Sequence, residues 1–224
     1  MTTDTVTFRD LSRVAAVLKA SLWVYMGIAA IALWSDWLDI EVVSRAANGA
    51  VVSDIEAAAG DSRRALLARL YLVSFVVTAV TFLRWTYLSS RNARFLGADA
   101  LQFTPGWAVG WYFIPVATLW KPYQALKETF KASHPEFTEN WRQAPHPAIM
   151  PLWWTLWILA GLIGQTVGRA ALRADTVDGL LATSWLAFVA DLLDLPLAIV
   201  VIALVSTLQV WQSEKRRRVG SAAT

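Results

Sequence analysis

Four long apolar runs constrain the fold of this chain more than any other feature of its sequence. They lie at about 14–34, 66–88, 149–167 and 180–211. Each approaches or exceeds the roughly 20 residues that a helix needs to cross a hydrocarbon core about 30 Å thick. Backbone groups in lipid must be hydrogen bonded within the chain, so the runs are predicted to be transmembrane helices. The sequence therefore predicts an all-α integral membrane protein, with a single polytopic membrane domain over residues 1–224.

Composition supports this class and excludes several kinds of chemistry. The chain is 56% apolar and has 13 tryptophans, many of them near the ends of the apolar runs, as in the aromatic belts of membrane proteins. It contains no cysteine, which excludes disulfides, thiolate nucleophiles and cysteine-ligated metal sites. The basic residues form no evident soluble face, so the excess of positive charge favours an anionic membrane surface over nucleic acid as a partner.

A fifth apolar stretch, residues 105–120, is too short for an ordinary span and contains Pro115. Proline removes a helical hydrogen bond and clashes with the preceding turn, so the helix is predicted to break there. Thr104 and Pro105 form a good helix start, and Gly106 and Gly110 have the spacing of a close helix contact. We therefore predict four spans plus a short re-entrant or interfacial segment over 105–131.

The end of this segment has an amphipathic pattern. Tyr123, Leu126 and Phe130 share one helical face, while Lys127 and Lys131 point elsewhere. The pattern suits a short helix lying in the membrane interface. An ordinary helix packed on the other helices is the alternative.

The distribution of charge predicts the topology. With four spans, most basic residues of the connecting segments fall on the side that carries Lys215–Arg218. The positive-inside rule places that side in the cytoplasm. We therefore expect a multi-pass protein of the inner membrane with both termini cytoplasmic, and an external segment over 35–65 with a turn at Asn48-Gly49 and a capping box from Ser53 to Glu56.

Residues 84–133 carry a family resemblance. The residues that carry it are Trp85, Asn92-Ala93, Pro105-Gly106-Trp107, Trp111, Phe113, Pro115 and Lys121-Pro122. With this pattern the segment resembles the bacterial membrane protein family called domain of unknown function 4328, although this chain has Thr118 where the family often has Asn. The resemblance implies a polytopic bacterial membrane protein and supplies no catalytic residue or ligand.

Two pairs of charged residues are candidate sites. Arg84 lies on one helical stripe with Tyr87 and Arg91, and either tethers the carbonyls of residues 105–120 or binds an anion or a lipid headgroup with Arg91. Asp191 and Asp194 lie deep in the last apolar run, on one face and just before Pro196, where charge is costly. They form either a proton or cation site or a structural pair, hydrogen bonded to a neighbouring helix through groups such as Thr78, Thr81 or Gln165.

No nucleophile–base pair, phosphate loop or metal motif stands out, and we predict no cofactor, no metal and no enzyme activity. His134 and His146 lie beside prolines in one polar loop, with a spacing that matches no metal site. The sequence favours a non-enzymatic interaction or accessory protein, whose partners are the lipid bilayer and either itself, as a homo-oligomer, or another membrane protein. A small transporter or channel with a site at Asp191 and Asp194 is the alternative. An intramembrane enzyme is a third, less favoured class.

Overall fold

A computed structural model describes residues 8–137 and 139–222 of the chain. The described residues are 81% helical and contain no strand. The six α-helices are α1 (Ser12–Ala47), α2 (Asp54–Phe95), α3 (Pro105–Gly110), α4 (Lys121–Ala132), α5 (Met150–Ala171) and α6 (Val177–Ala222). Three short 3₁₀ helices lie at Trp111–Phe113, Ala117–Leu119 and Trp141–Gln143.

Four of these helices, α1, α2, α5 and α6, are long and apolar enough to cross a membrane. The predicted fold class is therefore confirmed. Three of the helices extend well beyond the apolar runs, with 36 residues in α1, 42 in α2 and 46 in α6. Most of the segment predicted to be external, residues 35–65, is thus part of α1 and α2.

The connection between α1 and α2 follows the local signals of the sequence. Gly49 has a φ of +83°, which glycine adopts at little cost, and it ends the turn after α1. The Ser53 hydroxyl accepts a hydrogen bond from the Glu56 backbone N–H at 3.2 Å and caps the start of α2.

The chain breaks where Pro115 predicts it. α3 begins with Pro105 in its first turn, capped by Thr104, whose hydroxyl accepts from the Trp107 N–H at 3.2 Å. After the first 3₁₀ helix, the Ala117 N–H donates to the Pro115 carbonyl at 2.7 Å around Val116, which has a φ of +67°. This γ-turn is a strained conformation for a β-branched residue.

The break prevents a fifth span. Within the described residues between α2 and α5, the longest helix is α4, with 12 residues. It is far shorter than the roughly 20 residues that a span requires.

α4 packs on protein through its apolar face. Leu126 and Phe130 are fully buried, and the Phe130 ring contacts that of Trp211 edge to face at 5.8 Å. The apolar face is therefore covered by protein, and the interfacial position of α4 stays a prediction.

The expected helix contact at Gly106 and Gly110 is wrong. A Cβ placed on Gly106 would meet no atom within 4 Å, and one on Gly110 would meet only the Trp107 ring of its own helix. The glycine spacing allows a close approach, but no described segment of the chain makes one.

The chain divides into two compact units. The first unit contains residues 1–20, 78–154 and 200–224, and the second contains residues 21–77 and 155–199. The residues between α2 and α5 all belong to the first unit, together with both ends of the chain.

Candidate functional site

Asp191 and Asp194 belong to a polar cluster in the second unit. The Tyr71 hydroxyl donates to Asp191 Oδ1 at 2.8 Å, and the Tyr25 hydroxyl donates to Asp194 Oδ2 at 2.6 Å. The two tyrosine rings meet edge to face at 5.3 Å. The carboxyl group of Asp36 lies near that of Asp191. We call these five residues the acid–tyrosine cluster.

The cluster joins three helices through partners that sequence reasoning missed. Tyr25 and Asp36 come from α1 and Tyr71 from α2, whereas the sequence suggested Thr78, Thr81 or Gln165. The Thr81 hydroxyl donates to the Thr78 carbonyl of its own helix at 3.0 Å, and Gln165 is exposed. Tyrosine hydroxyls within apolar runs are the signal that could have indicated the partners.

The cluster brings three carboxyl groups together. Carboxylates repel one another when all of them are ionised, so a group of this kind favours the uptake of a proton or a cation. The tyrosine hydroxyls act as donors to Asp191 and Asp194. This arrangement can hold a proton inside a helix of spanning length.

A second acidic group of this unit is neutralised by arginine. The buried carboxylate of Asp39 lies 2.5 Å from Arg63 and 3.7 Å from Arg64, and Arg63 Nε also donates to the Ser35 hydroxyl at 2.8 Å. A buried carboxylate requires such partners, since its desolvation is costly. The pairing joins α1 to α2, within residues that the sequence predicted only to be an external segment.

In the first unit, a set of buried amides connects several segments. Asn92 accepts from the Arg9 N–H at 2.9 Å and donates to the Arg9 carbonyl at 2.8 Å and to Gln212 Oε1 at 3.1 Å. Gln212 Nε2 donates to the Ser89 carbonyl and to the Ser133 hydroxyl, both at 2.9 Å. We call these five residues the amide network. It gives Asn92, identified only as a family-motif residue, a structural role.

Lys215 extends the same region. Its side chain is fully buried, and Nζ donates to the carbonyls of Ala132 at 2.9 Å and of Phe137 at 2.8 Å. Ala132 is the last residue of α4, so the ammonium group satisfies a helix-end carbonyl and lies favourably in the field of the helix dipole. One residue of the basic run 215–218 is thus internal.

The family-motif residues divide into two groups, and all of them lie in the first unit. Trp85 and Asn92 are buried, and Pro105 and Pro122 occupy the first turns of α3 and α4. By contrast, the broken segment contains the exposed residues Gly106, Trp107, Phe113 and Pro115 and the half-buried Trp111. The rings of Trp107 and Trp111 contact each other at 4.8 Å. The motif therefore both anchors this segment and presents an apolar surface on it.

The expected tether from Arg84 is not formed. Arg84 is exposed, and neither it nor Arg91 has a hydrogen bond or ion pair within the described part of the chain. Arg94 performs the tethering instead and donates to the Phe103 carbonyl at 2.7 Å. The anion or lipid-headgroup site at Arg84 and Arg91 stays a prediction.

The two histidines lie in the connection between α4 and α5. The His134 ring contacts those of Trp211 at 4.7 Å and Phe137 at 5.0 Å, and its Nδ1 accepts from the Glu136 N–H at 3.3 Å. Burial lowers the pKa of both His134 and His146. In the described part of the chain, no group of three or more histidine or acidic side chains has the arrangement to hold a metal ion.

Comparison with known proteins places these features in a family. The family described as Domain of unknown function (DUF4328) matches residues 48–209, which is most of the chain. The chain belongs to that family. The family resemblance found at residues 84–133 is confirmed, and the DUF4328 match extends it over Tyr71, Asp191 and Asp194. Searches of curated proteins and of solved structures found no match.

Proposed function

We propose that this DUF4328 protein is a non-enzymatic interaction protein of the bacterial inner membrane. The uncovered surface of α5 carries the proposal. α5 is apolar enough to cross a membrane, yet only 11% of its most apolar 18-residue stretch is buried within the chain. A Cβ placed on Gly161, Gly164 or Gly168 would meet no atom within 4 Å.

The chemistry of this surface suits another helix. Glycines four residues apart, such as Gly164 and Gly168, let two backbones approach closely in lipid. Gln165 lies beside them, is exposed and has no hydrogen-bond partner in the described residues. An amide in hydrocarbon gains from a partner across a helix interface, which favours a second copy of the chain or another membrane protein.

The orientation belongs to the same proposal. The basic residues of the first unit include Lys121, Lys127, Lys131 and the run Arg216–Arg218. The positive-inside rule supports placing this unit, with both termini, on the cytoplasmic side. Residues 105–120 would then enter the bilayer from the cytoplasm and return to it. Labelling of single cysteines introduced at residues 99 and 127 of this cysteine-free chain tests the topology, and periplasmic labelling of residue 127 alone would contradict it.

Crosslinking within native membranes tests the interaction surface. A cysteine at Gly164 is expected to form crosslinks to a second copy or to a distinct membrane protein. A cysteine at Leu162, which is 54% exposed on another side of α5, is the matched control. Gly164→Leu should abolish the complex because the added side chain separates the backbones. Equal crosslinking at both positions, or none at Gly164, would contradict the proposal.

A small proton-coupled transporter is the second candidate, and the acid–tyrosine cluster favours it. The cluster contains three carboxyl groups in helices of spanning length, and their mutual repulsion when ionised favours the uptake of a proton. No three acidic side chains of the described residues are arranged to bind a metal ion. A proton therefore suits the cluster better than a divalent cation.

Proton flux into liposomes tests this candidate. The Asp191→Asn/Asp194→Asn variant should fold, because asparagine supplies similar hydrogen bonds, and should lose any flux that the natural chain supports. Asp61→Asn is a control, since Asp61 pairs with Arg64 at an exposed position. Wild-type liposomes with no more flux than empty ones, under an imposed pH gradient and membrane potential, would contradict this candidate.

A further inference from the structure

A groove of about 620 Å³ lies beside α4 in the first unit. Four cationic side chains line it, namely those of Lys121, Lys127, Lys131 and Arg142. Among the described lining residues, Glu128 is the one acid. We call this feature the basic groove.

The single carboxylate of the groove is already engaged. Glu128 Oε1 accepts from the Gln102 N–H at 2.6 Å, and Oε2 accepts from the Phe103 N–H at 3.0 Å. Both oxygens therefore hold the backbone that precedes α3. None of the four cations forms an ion pair with a described carboxylate, so the groove has a surplus of positive charge.

Neutral groups hold the cations in place. Lys131 Nζ donates to the Arg142 carbonyl at 2.9 Å, and Arg142 donates to the Ala100 carbonyl at 3.1 Å. Lys121 lies over the rings of Phe103 and Trp111, with its Nζ 5.5 and 5.7 Å from their centroids. The positive field reaches His146, whose pKa is lowered first by burial and then by the charges of Lys127 and Lys131.

An exposed apolar surface adjoins the groove. Lys121 contacts the Trp111 ring, which in turn contacts the ring of Trp107. The large exposed side chains of this segment are Trp107 at 50%, Phe113 at 71%, Val116 at 66%, Leu119 at 48% and Trp120 at 44%. Cationic and apolar surfaces thus meet at Lys121, within one unit.

We infer that the basic groove binds the phosphate headgroup of an anionic phospholipid. Arginine and lysine are the side chains that bind phosphate oxygens, the first through a planar fork and the second as a point charge. The exposed residues of 105–120 suit the acyl region of the same lipid, which a soluble phosphate compound does not have. Basic clusters beside membrane helices bind anionic lipids through the same combination.

Lipid binding to the full-length chain tests this inference. The delipidated protein is mixed with equal amounts of phosphatidylglycerol and phosphatidylcholine, and the bound lipids are counted by native mass spectrometry. The wild-type chain should bind at least five times as much phosphatidylglycerol as phosphatidylcholine. Lys121→Gln/Lys127→Gln should reduce that preference to less than twofold.

A second double variant provides the matched control. Arg169→Gln/Arg173→Gln removes the same charge outside the groove, at two exposed residues, and should keep the preference, while circular dichroism confirms that both variants are folded. An equal loss in both variants, or a loss only in the control, overturns the inference. Binding of inorganic phosphate to the wild-type chain without any preference between the two lipids overturns the assignment to a lipid.

Discussion

The side-chain amides of Asn92 and Gln212 lie 3.1 Å apart in the interior of the first unit, with Asn92 as the donor. Asn92 also holds both backbone groups of Arg9, and Gln212 reaches Ser89 and Ser133. The start of the chain, α2, the end of α4 and α6 are thereby connected through two buried amides. These contacts explain why this family-motif position is an asparagine, since the side chain must act both as a donor and as an acceptor.

Asn92→Ala is expected to lower the stability of the protein by about 2 kcal/mol, because it removes three hydrogen bonds of a buried side chain and leaves the buried Gln212 Oε1 without its donor. Thermal unfolding in detergent measures the effect. Arg91→Gln is the control, since Arg91 has no hydrogen bond in the described part of the chain. Unchanged unfolding of Asn92→Ala would show that the amide network does not hold the unit together.

Tyr71→Phe removes the hydroxyl that binds Asp191 and keeps the ring that contacts Tyr25. We expect a loss of about 1 kcal/mol, which is the usual net contribution of one hydrogen bond. A double-mutant cycle with Asp191→Asn should show coupling, because the two residues are in direct contact. Tyr87→Phe should have no effect, since the Tyr87 hydroxyl has no partner among the described residues. Additive effects in the cycle would contradict the contact.

Val116→Gly is expected to stabilise the chain, although glycine usually destabilises. Val116 has a φ of +67° and is 66% exposed, so the change relieves backbone strain and removes little packing. The expected gain is about 1 kcal/mol, from the roughly 1–3 kcal/mol of such strain less the cost of glycine in the unfolded chain. Leu119→Gly, in the following 3₁₀ helix, should destabilise. Thermal unfolding of both variants measures the difference.

Gly106→Leu should leave the stability of the protein nearly unchanged, because the position faces open space. Ala108→Leu in the same helix should lower it by about 1–3 kcal/mol, because Ala108 is buried and the added atoms would overpack its surroundings. A loss of stability in Gly106→Leu, measured in the same unfolding assay, would restore the helix contact that the glycine spacing suggested.

The pKa values of the two histidines predict how the stability of the protein changes with pH. Burial lowers the pKa of His134 and His146 in the folded chain, so the unfolded chain binds protons first as the pH falls. Their contribution to stability is therefore present above the unfolded pKa of about 6.5 and is lost as the pH falls below it. Unfolding temperatures between pH 7.5 and 5.5 should decrease. His134→Gln/His146→Gln should flatten this decrease, and an equally steep decrease in that variant would assign it to other groups.

Local features of the sequence predicted local structure well. The apolar runs indicated the four long helices, because length and hydropathy decide whether a helix can cross a membrane. Thr104 and Pro105 indicated the start of α3, Ser53 the start of α2, and Pro115 the break. Each of these signals acts within a few residues, so no partner from elsewhere in the chain is needed to interpret it.

Only the tertiary structure decided the partners. Asn92 and Gln212, like Tyr71 and Asp191, are separated by 120 positions, and the sequence does not indicate which distant hydroxyl or amide a buried polar group meets. The same limit explains two wrong predictions. The glycine spacing at Gly106 allows a contact that no described segment makes, and Arg94, rather than Arg84, holds the backbone. The sequence by itself determined the helices and the break between them, because local sterics and hydropathy act along the chain. The hydrogen bonds that join the helices depend on side-chain geometry across the fold, which only the folded chain determines.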